Sequence, residues 1–243
     1  PRWFTRILVT LSLLVVAVLL AFALFPGWFA PYSPTHMNTG EVLKSPGGTH
    51  LLGTDYFGRD IFTLIVYGSR DSIMIGVASV LLGGTIGSLI GSAAGYLGKL
   101  TDSIIMRCID TLMAIPGILL AMTISAAIGP SKLNLILSVS VASVPGFARV
   151  MRGQVLAVKN RTFVEAARAI GASPLVILFR HILSNAYSPL LVMATISVGG
   201  AILIGSGLSF LGLGPVSEIP DWGTLVSQGR SYLSVAWWMA TFP

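Results

Sequence analysis

Residues 72–98 read SIMIGVASVLLGGTIGSLIGSAAGYLG, and none of these 27 positions carries a charge. About 20 consecutive apolar residues in a helix cross the roughly 30 Å hydrocarbon core of a bilayer, so this run spans it with room to tilt. Inside the run Gly83, Gly87, Gly91 and Gly95 recur at every fourth position, with Ser88 and Ser92 beside them. Residues four apart share a helix face, and a face of glycines makes a groove into which another backbone fits closely. The stretch predicts a membrane-crossing helix packed, along its glycines, against a second helix of this chain or another.

Reading outward, the remaining sequence has the same character. The 243 residues are 54% hydrophobic and only 10% charged, against about a quarter charged in soluble domains. A soluble, disordered or collagen-like chain is excluded, and the lone Cys108 excludes a disulfide scaffold. Ile7–Phe25 is a first charge-free window, closed by Pro26-Gly27 and a bulky aromatic cluster that suits an interfacial anchor better than a cleavage site. Thr111–Ser131 is the third span after residues 72–98, and Leu133–Ala148 the fourth, continuing through Arg149. Ile182–Ser217 exceeds one crossing, so it holds a fifth helix and then a loop or partly buried turn around Gly205–Gly214. A sixth helix begins near Leu233 and is cut off at Pro243. The expected fold is all-α, a polytopic membrane helix bundle of six helices. Its parts are residues 1–25 with the first helix, an extracytoplasmic segment 26–71, and a transmembrane core 72–243.

Basic residues fix the expected orientation. With the N-terminus inside, the cytoplasmic parts hold ten, namely Arg2, Arg6, Lys99, Arg107, Arg149, Arg152, Lys159, Arg161, Arg168 and Arg180. The outer parts hold five: Lys44, Arg59, Arg70, Lys132 and Arg230. That asymmetry follows the positive-inside rule and accounts for the formal charge of +6 without nucleic acid.

No catalytic constellation is present. Gly95–Leu100 lacks the spacing and the Ser/Thr of a phosphate loop. His36, His50 and His181 are scattered and read as surface or headgroup residues, with no pair at metal-ligand spacing. Arg107 and Asp110, three apart at the start of the third span, read as a local ion pair.

The informative polar stretch is internal: Gln154–His181 reads QVLAVKNRTFVEAARAIGASPLVILFRH. Thr162 and Glu165 have capping-box spacing and open a short helix through Phe163, Val164, Ala166, Ala167 and Ile170. Gly171 stops it, and Ser173-Pro174 starts a second. Two short helices joined by a sharp bend form a knob that either docks into a groove of another protein or lies on anionic lipid.

Glu165-Ala166-Ala167, then Gly171, then Ile182-Leu183 resembles the EAA loop of bacterial ABC importer permeases, with Ser184 where close relatives have proline. Leu52-Gly53-Thr54-Asp55-x2-Gly58-Arg59-Asp60, Tyr67–Arg70, Ser209–Gly214 and Trp222-Gly223 resemble segments of one branch, the C-type permeases of dipeptide, oligopeptide and nickel systems. Ser217 and Glu218 stand where that branch often has Pro-Pro.

The resemblance implies a type I ABC importer transmembrane domain in the bacterial plasma membrane, continuing past Pro243 to finish its sixth helix. It implies a heterodimer with a homologous B-type permease, two cytoplasmic ATPases that bind ATP and magnesium, and an extracytoplasmic solute-binding protein. This chain would then carry no cofactor, no metal and no catalysis. Its loop 153–181, through Thr162, Phe163, Glu165, Ala166, Ala167, Ile170 and Gly171, would couple to the ATPases. The implied cargo is a peptide, with nickel, a metal chelate or glutathione as alternatives. A secondary transporter would instead place charges for proton or ion handling inside its spans and show inverted repeats; spans one, two, four and five hold no acidic residue, and no inverted repeat is evident.

Overall fold

The computed structural model describes residues 2–243. Its elements are helices, in the order α1 Arg2–Leu24, α2 Ile61–Leu97, α3 Lys99–Met113, α4 Gly117–Ile128, α5 Lys132–Lys159, α6 Thr162–Ala169, α7 Pro174–Ala186, α8 Ser188–Phe210, α9 Trp222–Arg230 and α10 Trp238–Thr241, with single turns at Pro26–Phe29 and Thr39–Glu41. Among the described residues α1, α2, α5 and α8 are each long and apolar enough to cross a membrane, and α3 with α4 makes a fifth span if the pair is taken as one. The residues divide into two compact units. A terminal unit holds those up to Met74 with Gly205–Pro243, and a central unit holds Ile75–Ile204.

In the terminal unit α1 is apolar all round and mostly exposed. Two of its hydroxyls are satisfied within the helix: Thr10 and Ser12 donate to the carbonyls of Arg6 and Leu8, both at 2.9 Å. Helix α2 starts at Ile61, eleven residues before the charge-free window opens at Ser72. The cause is Asp60, whose Oδ2 accepts from the Thr63 N–H at 2.8 Å and caps the helix. Arg70 and Asp71, read in the sequence as the end of a polar segment 26–71, are therefore helical.

Two further features of the terminal unit refine the sequence reading. Helix α9 was not foreseen. It is capped by Asp221, whose Oδ1 accepts from the Thr224 N–H at 2.8 Å while Oδ2 accepts from the Ser209 hydroxyl at 2.5 Å. Near Leu233, where the sixth helix is expected to begin, the chain turns from Ser231, and helical structure starts with α10 at Trp238. Trp238 and Met239 of α10 are buried with Ile61 and Ala236, against Leu43, Leu52, Tyr56, Ile65 and Tyr232.

In the central unit the third span is broken. The 111–131 window is charge-free but contains Pro116, which lacks the N–H that a continuous helix needs; α3 ends at Met113, α4 begins at Gly117, and their axes differ by 87°. After Gly129, at φ +89°, Ser131 caps α5 by accepting from the Asn134 N–H at 3.1 Å. Helix α5 runs through Pro145 and Arg149 to Lys159, so the first residues of the expected loop 153–181 are still helix. Helix α8 reaches Phe210, which confines the expected turn to the residues just beyond it. There Gly212, at φ +83°, closes the helix with bonds from its N–H to Ser209 O and from the Leu213 N–H to Leu208 O.

Candidate functional site

The knob is a product of helix-end chemistry. Helix α6 starts one residue earlier than the capping-box reading implied: Arg161 occupies the cap position, Thr162 is the first helical residue, and no side chain caps the end. The Arg161 carbonyl accepts the N–H groups of Val164 and Glu165 at 2.9 and 3.2 Å. At the other end Gly171 sits at φ +84°, the left-handed region that suits glycine. Its N–H bonds to Arg168 O and the Ala172 N–H to Ala167 O, both at 3.1 Å, which is the Schellman closure. Ser173 then accepts from the Val176 N–H at 3.4 Å, and Pro174 opens α7 at its first position. A π-helical stretch, Ile177–Leu183, carries α7 onward, with the Ser184 hydroxyl donating to Phe179 O at 3.2 Å.

The two alanines face opposite ways. Val164 and Ala167 are buried where α6 packs on α7, whose own buried residues are Ile177, Ile182 and Ala186. Thr162, Phe163, Glu165, Ala166, Ile170 and Gly171 are exposed. Ile170 is 86% exposed, and Leu175 and Phe179 are 68% and 59% exposed, among the exposed cations of Arg161, Arg168 and Arg180. The knob thus presents large apolar side chains together with positive charge.

Below the knob, α5 is the hub of the central unit. Gly83, Gly87, Gly91 and Gly95 of α2 are buried against it. A Cβ on Gly83 would meet the Ser140 carbonyl oxygen at 2.5 Å, one on Gly91 the Ala148 carbonyl carbon at 2.9 Å, and one on Gly95 the Val155 Cβ at 2.9 Å. On another side Arg152 of α5 grips Asp102 of α3 with two bonds, at 2.5 and 2.6 Å. Asp110 pairs with Arg149 of α5 and not with Arg107, so the expected local pair is replaced by a bond between helices. A cavity of about 300 Å³ opens beside the α3–α4 break, lined by Met113, Ser143, Pro145, Met193 and Ser197 among others, with no charged side chain in its wall.

In the terminal unit the Leu52–Asp60 segment is a tight polar turn. Gly53 and Gly58 have φ of +79° and +73°. Asp55 Oδ1 accepts from the N–H groups of Phe57 and Arg59 at 2.8 Å, and its Oδ2 accepts from the buried Arg59 guanidinium at 2.7 Å. Arg59 also donates to Glu218 O at 3.2 Å. His50, read from sequence as a surface residue, is instead buried: Nδ1 lies 3.0 Å from Asp60 Oδ1 and Nε2 2.9 Å from Glu41 Oε2. Burial works against its protonation, but the two carboxylate bonds outweigh that and raise its pKa above the ordinary value. Neither carboxylate lies near it in sequence, at nine and ten residues' distance, so no local spacing reveals the cluster. Among the described residues no group of His, Cys, Asp and Glu could hold a metal ion.

A profile described as binding-protein-dependent transport system inner membrane component matches residues 87–242. The chain is 40% identical to the glutathione transport system permease protein GsiD of Pectobacterium atrosepticum, over 95% of this chain and 77% of that protein. It is 38% identical to the dipeptide transport system permease protein DppC of Alkalihalophilus pseudofirmus, over 97% of this chain and 78% of that one. The di/tripeptide transport system permease protein DppC of Pseudomonas aeruginosa is also 38% identical, over 96% and 78%. With its apolar helices and its helical fold, the chain belongs to the family of binding-protein-dependent transport system inner membrane components and has the transmembrane domain of a type I ABC importer.

Proposed function

We propose that this multi-pass permease subunit forms half of the path for short peptides and is driven by ATPases that dock on α6. The observation that carries the reading is Ile170: a large apolar side chain, 86% exposed on a helix end whose inner face is already packed. Exposed apolar anchors among cations suit a groove on a partner protein. Two ATPase subunits would bind ATP and magnesium and do the chemistry, a B-type permease would supply the other half of the path, and an extracytoplasmic binding protein would deliver the cargo. Peptide cargo is supported by the names of the relatives, two of them dipeptide or di/tripeptide systems and the third a system for glutathione, itself a tripeptide. The uncharged cavity wall suits such a passage, since it sets no fixed charge against a zwitterion.

Orientation belongs to the same proposal, with the N-terminus and the knob cytoplasmic and residues 26–60 outside. In a Cys108→Ser background, Thr49→Cys and Asn160→Cys, both at exposed positions, should label with an impermeant thiol reagent from opposite sides of the membrane. For docking, Ile170→Asp should leave the permease inserted and reduce copurification of the ATPases. Full ATPase association with that variant overturns the docking assignment.

A further inference from the structure

The end of α2 is held by the chain on both sides of the coupling helix. The Tyr96 hydroxyl donates to the Pro174 carbonyl at 2.9 Å. The Lys159 ammonium donates to the carbonyls of Gly95 and Tyr96, at 2.9 and 3.3 Å. Lys159 is the last residue of α5, three before α6 begins; Pro174 is the first of α7, three beyond Gly171. Both ends of the knob are therefore fastened to one turn of one transmembrane helix.

The chemistry of that turn explains the arrangement. Tyr96 and Gly95 lie among the last residues of α2, where carbonyls lack intrahelical partners and the helix dipole is negative. An ammonium there is favoured both as donor and as cation. Gly98, at φ +65°, turns the chain away directly afterwards. Gly95 keeps α5 close, since a Cβ there would lie 3.1 Å from the Arg152 carbonyl oxygen. A tyrosine is long enough to reach across to α7, and its partner, the proline carbonyl, lies at the start of a helix that Ser173 and Gly171 already orient.

We infer that Tyr96 and Lys159 are positioning residues that fasten the coupling knob to α2, so that displacement of α6 reaches this helix as rigid-body motion. The inference rests on the coupling role proposed above for α6. Without the two tethers, the packing of α7 on α5 would remain, but the Gly171 bend and the short link between α5 and α6 would let the knob turn relative to the end of α2.

The test uses the complete transporter with its ATPases, in a Cys108→Ser background. Spin labels are placed at Ile86→Cys on α2 and Leu175→Cys on α7, both at exposed positions. Distances are read by double electron–electron resonance without nucleotide and with ATP plus vanadate. With the tethers intact, the distribution should stay the same in both states. In Tyr96→Phe and in Lys159→Met it should broaden or shift with nucleotide while the ATPases still copurify, and Lys159→Arg should restore the single distribution. Basal ATP hydrolysis should escape control by the binding protein, with stimulation falling about fivefold, the effect of losing one net hydrogen bond.

A distance that already shifts with nucleotide in the tethered protein overturns the inference, as does a Tyr96→Phe distribution that matches it. Loss of ATPase association in Tyr96→Phe also overturns it, because the residue would then act in docking. Should Lys159→Met fail to fold, Tyr96→Phe decides alone, since it deletes one oxygen at a half-buried site. The docking assignment fails separately, through Ile170→Asp, whatever the labels show.

Discussion

A methyl group on Gly87 of α2 would lie 2.6 Å from the carbonyl oxygen of Val144 on α5, closer than any side chain can sit against backbone. Three residues back, a Cβ on Gly84 would have as its nearest neighbour the Phe147 ring, at 3.4 Å. Gly87→Ala should therefore force the helices apart and destabilise the protein by about 1–3 kcal/mol, whereas Gly84→Ala should be close to neutral. Thermal unfolding in detergent compares them directly. Equal shifts in Tm would show that the helix contact yields and that the glycines are not what sets its distance.

Ala166 and Ala167 are neighbours with opposite surroundings, and bulk should separate their roles. Ala166→Trp adds its ring to the exposed face, so the permease should fold with an unchanged Tm and lose ATPase copurification. Ala167→Trp puts the same ring between α6 and α7, where overpacking costs about 1–3 kcal/mol, and should show raised protease sensitivity across residues 160–186. If Ala166→Trp binds ATPases normally, the exposed face of α6 is not the docking face.

The Asp55–Arg59 pair is buried, with side chains only 3% and 5% exposed. Asp55→Asn leaves the guanidinium without its counter-charge, at a cost of about 3–5 kcal/mol for breaking a buried pair from one side. Arg59→Lys should not restore stability, because an ammonium cannot reproduce the flat contact with the carboxylate and the bond to Glu218 O together. Tm and proteolysis within residues 38–60 give the readout; a change of less than about 1 kcal/mol would place the pair among weak surface bridges.

His50 and Glu41 give the same segment a pH profile. The His50 pKa is raised from 6.5, so its contribution is full below that value and is lost as pH rises through the folded pKa. Glu41 is lowered from 4.5, chiefly by its bonds to His50 and Lys44, so its contribution is full above 4.5 and is lost as pH falls through the folded pKa. Residues 38–60 should be most stable between pH 4.5 and 6.5. His50→Gln should remove the decline on the alkaline side, measured by hydrogen exchange or Tm across pH 5 to about 9. An alkaline decline that persists in the variant assigns the titration elsewhere.

The parts of the fold legible in sequence are those written in local signals. Gly171 and Pro174 mark the two sides of the bend because each backbone constraint belongs to the residue itself, and a charge-free stretch announces a span wherever it is long enough. Charge counting has no view of geometry within such a stretch, which is why Pro116 splits the 111–131 window unnoticed. It also misplaces the start of α2, since Arg70 and Asp71 are tolerated inside a helix whose beginning is decided by Asp60. The His50 cluster, the Asp110–Arg149 pair and the Tyr96–Pro174 bond were illegible for another reason: their partners are 9 to 78 residues apart, and only the fold brings them together. The opposite facing of Ala166 and Ala167 needed the position of α7.

From Ile7 to Val18 every side chain of α1 is exposed, and ring contacts of Phe22 with Phe29 and Phe62 engage only its final turns. Along that stretch the rest of this chain sets no shape for the side chains to fit, so exchanges among Leu, Val, Ile and Phe there should leave the packing of this chain unchanged. On α5 the same exchanges at Phe147 would meet α2 at Gly84 and Gly87. Mutational tolerance in this chain therefore follows whether a helix has a protein neighbour, and two membrane-length helices of one chain can evolve at very different rates.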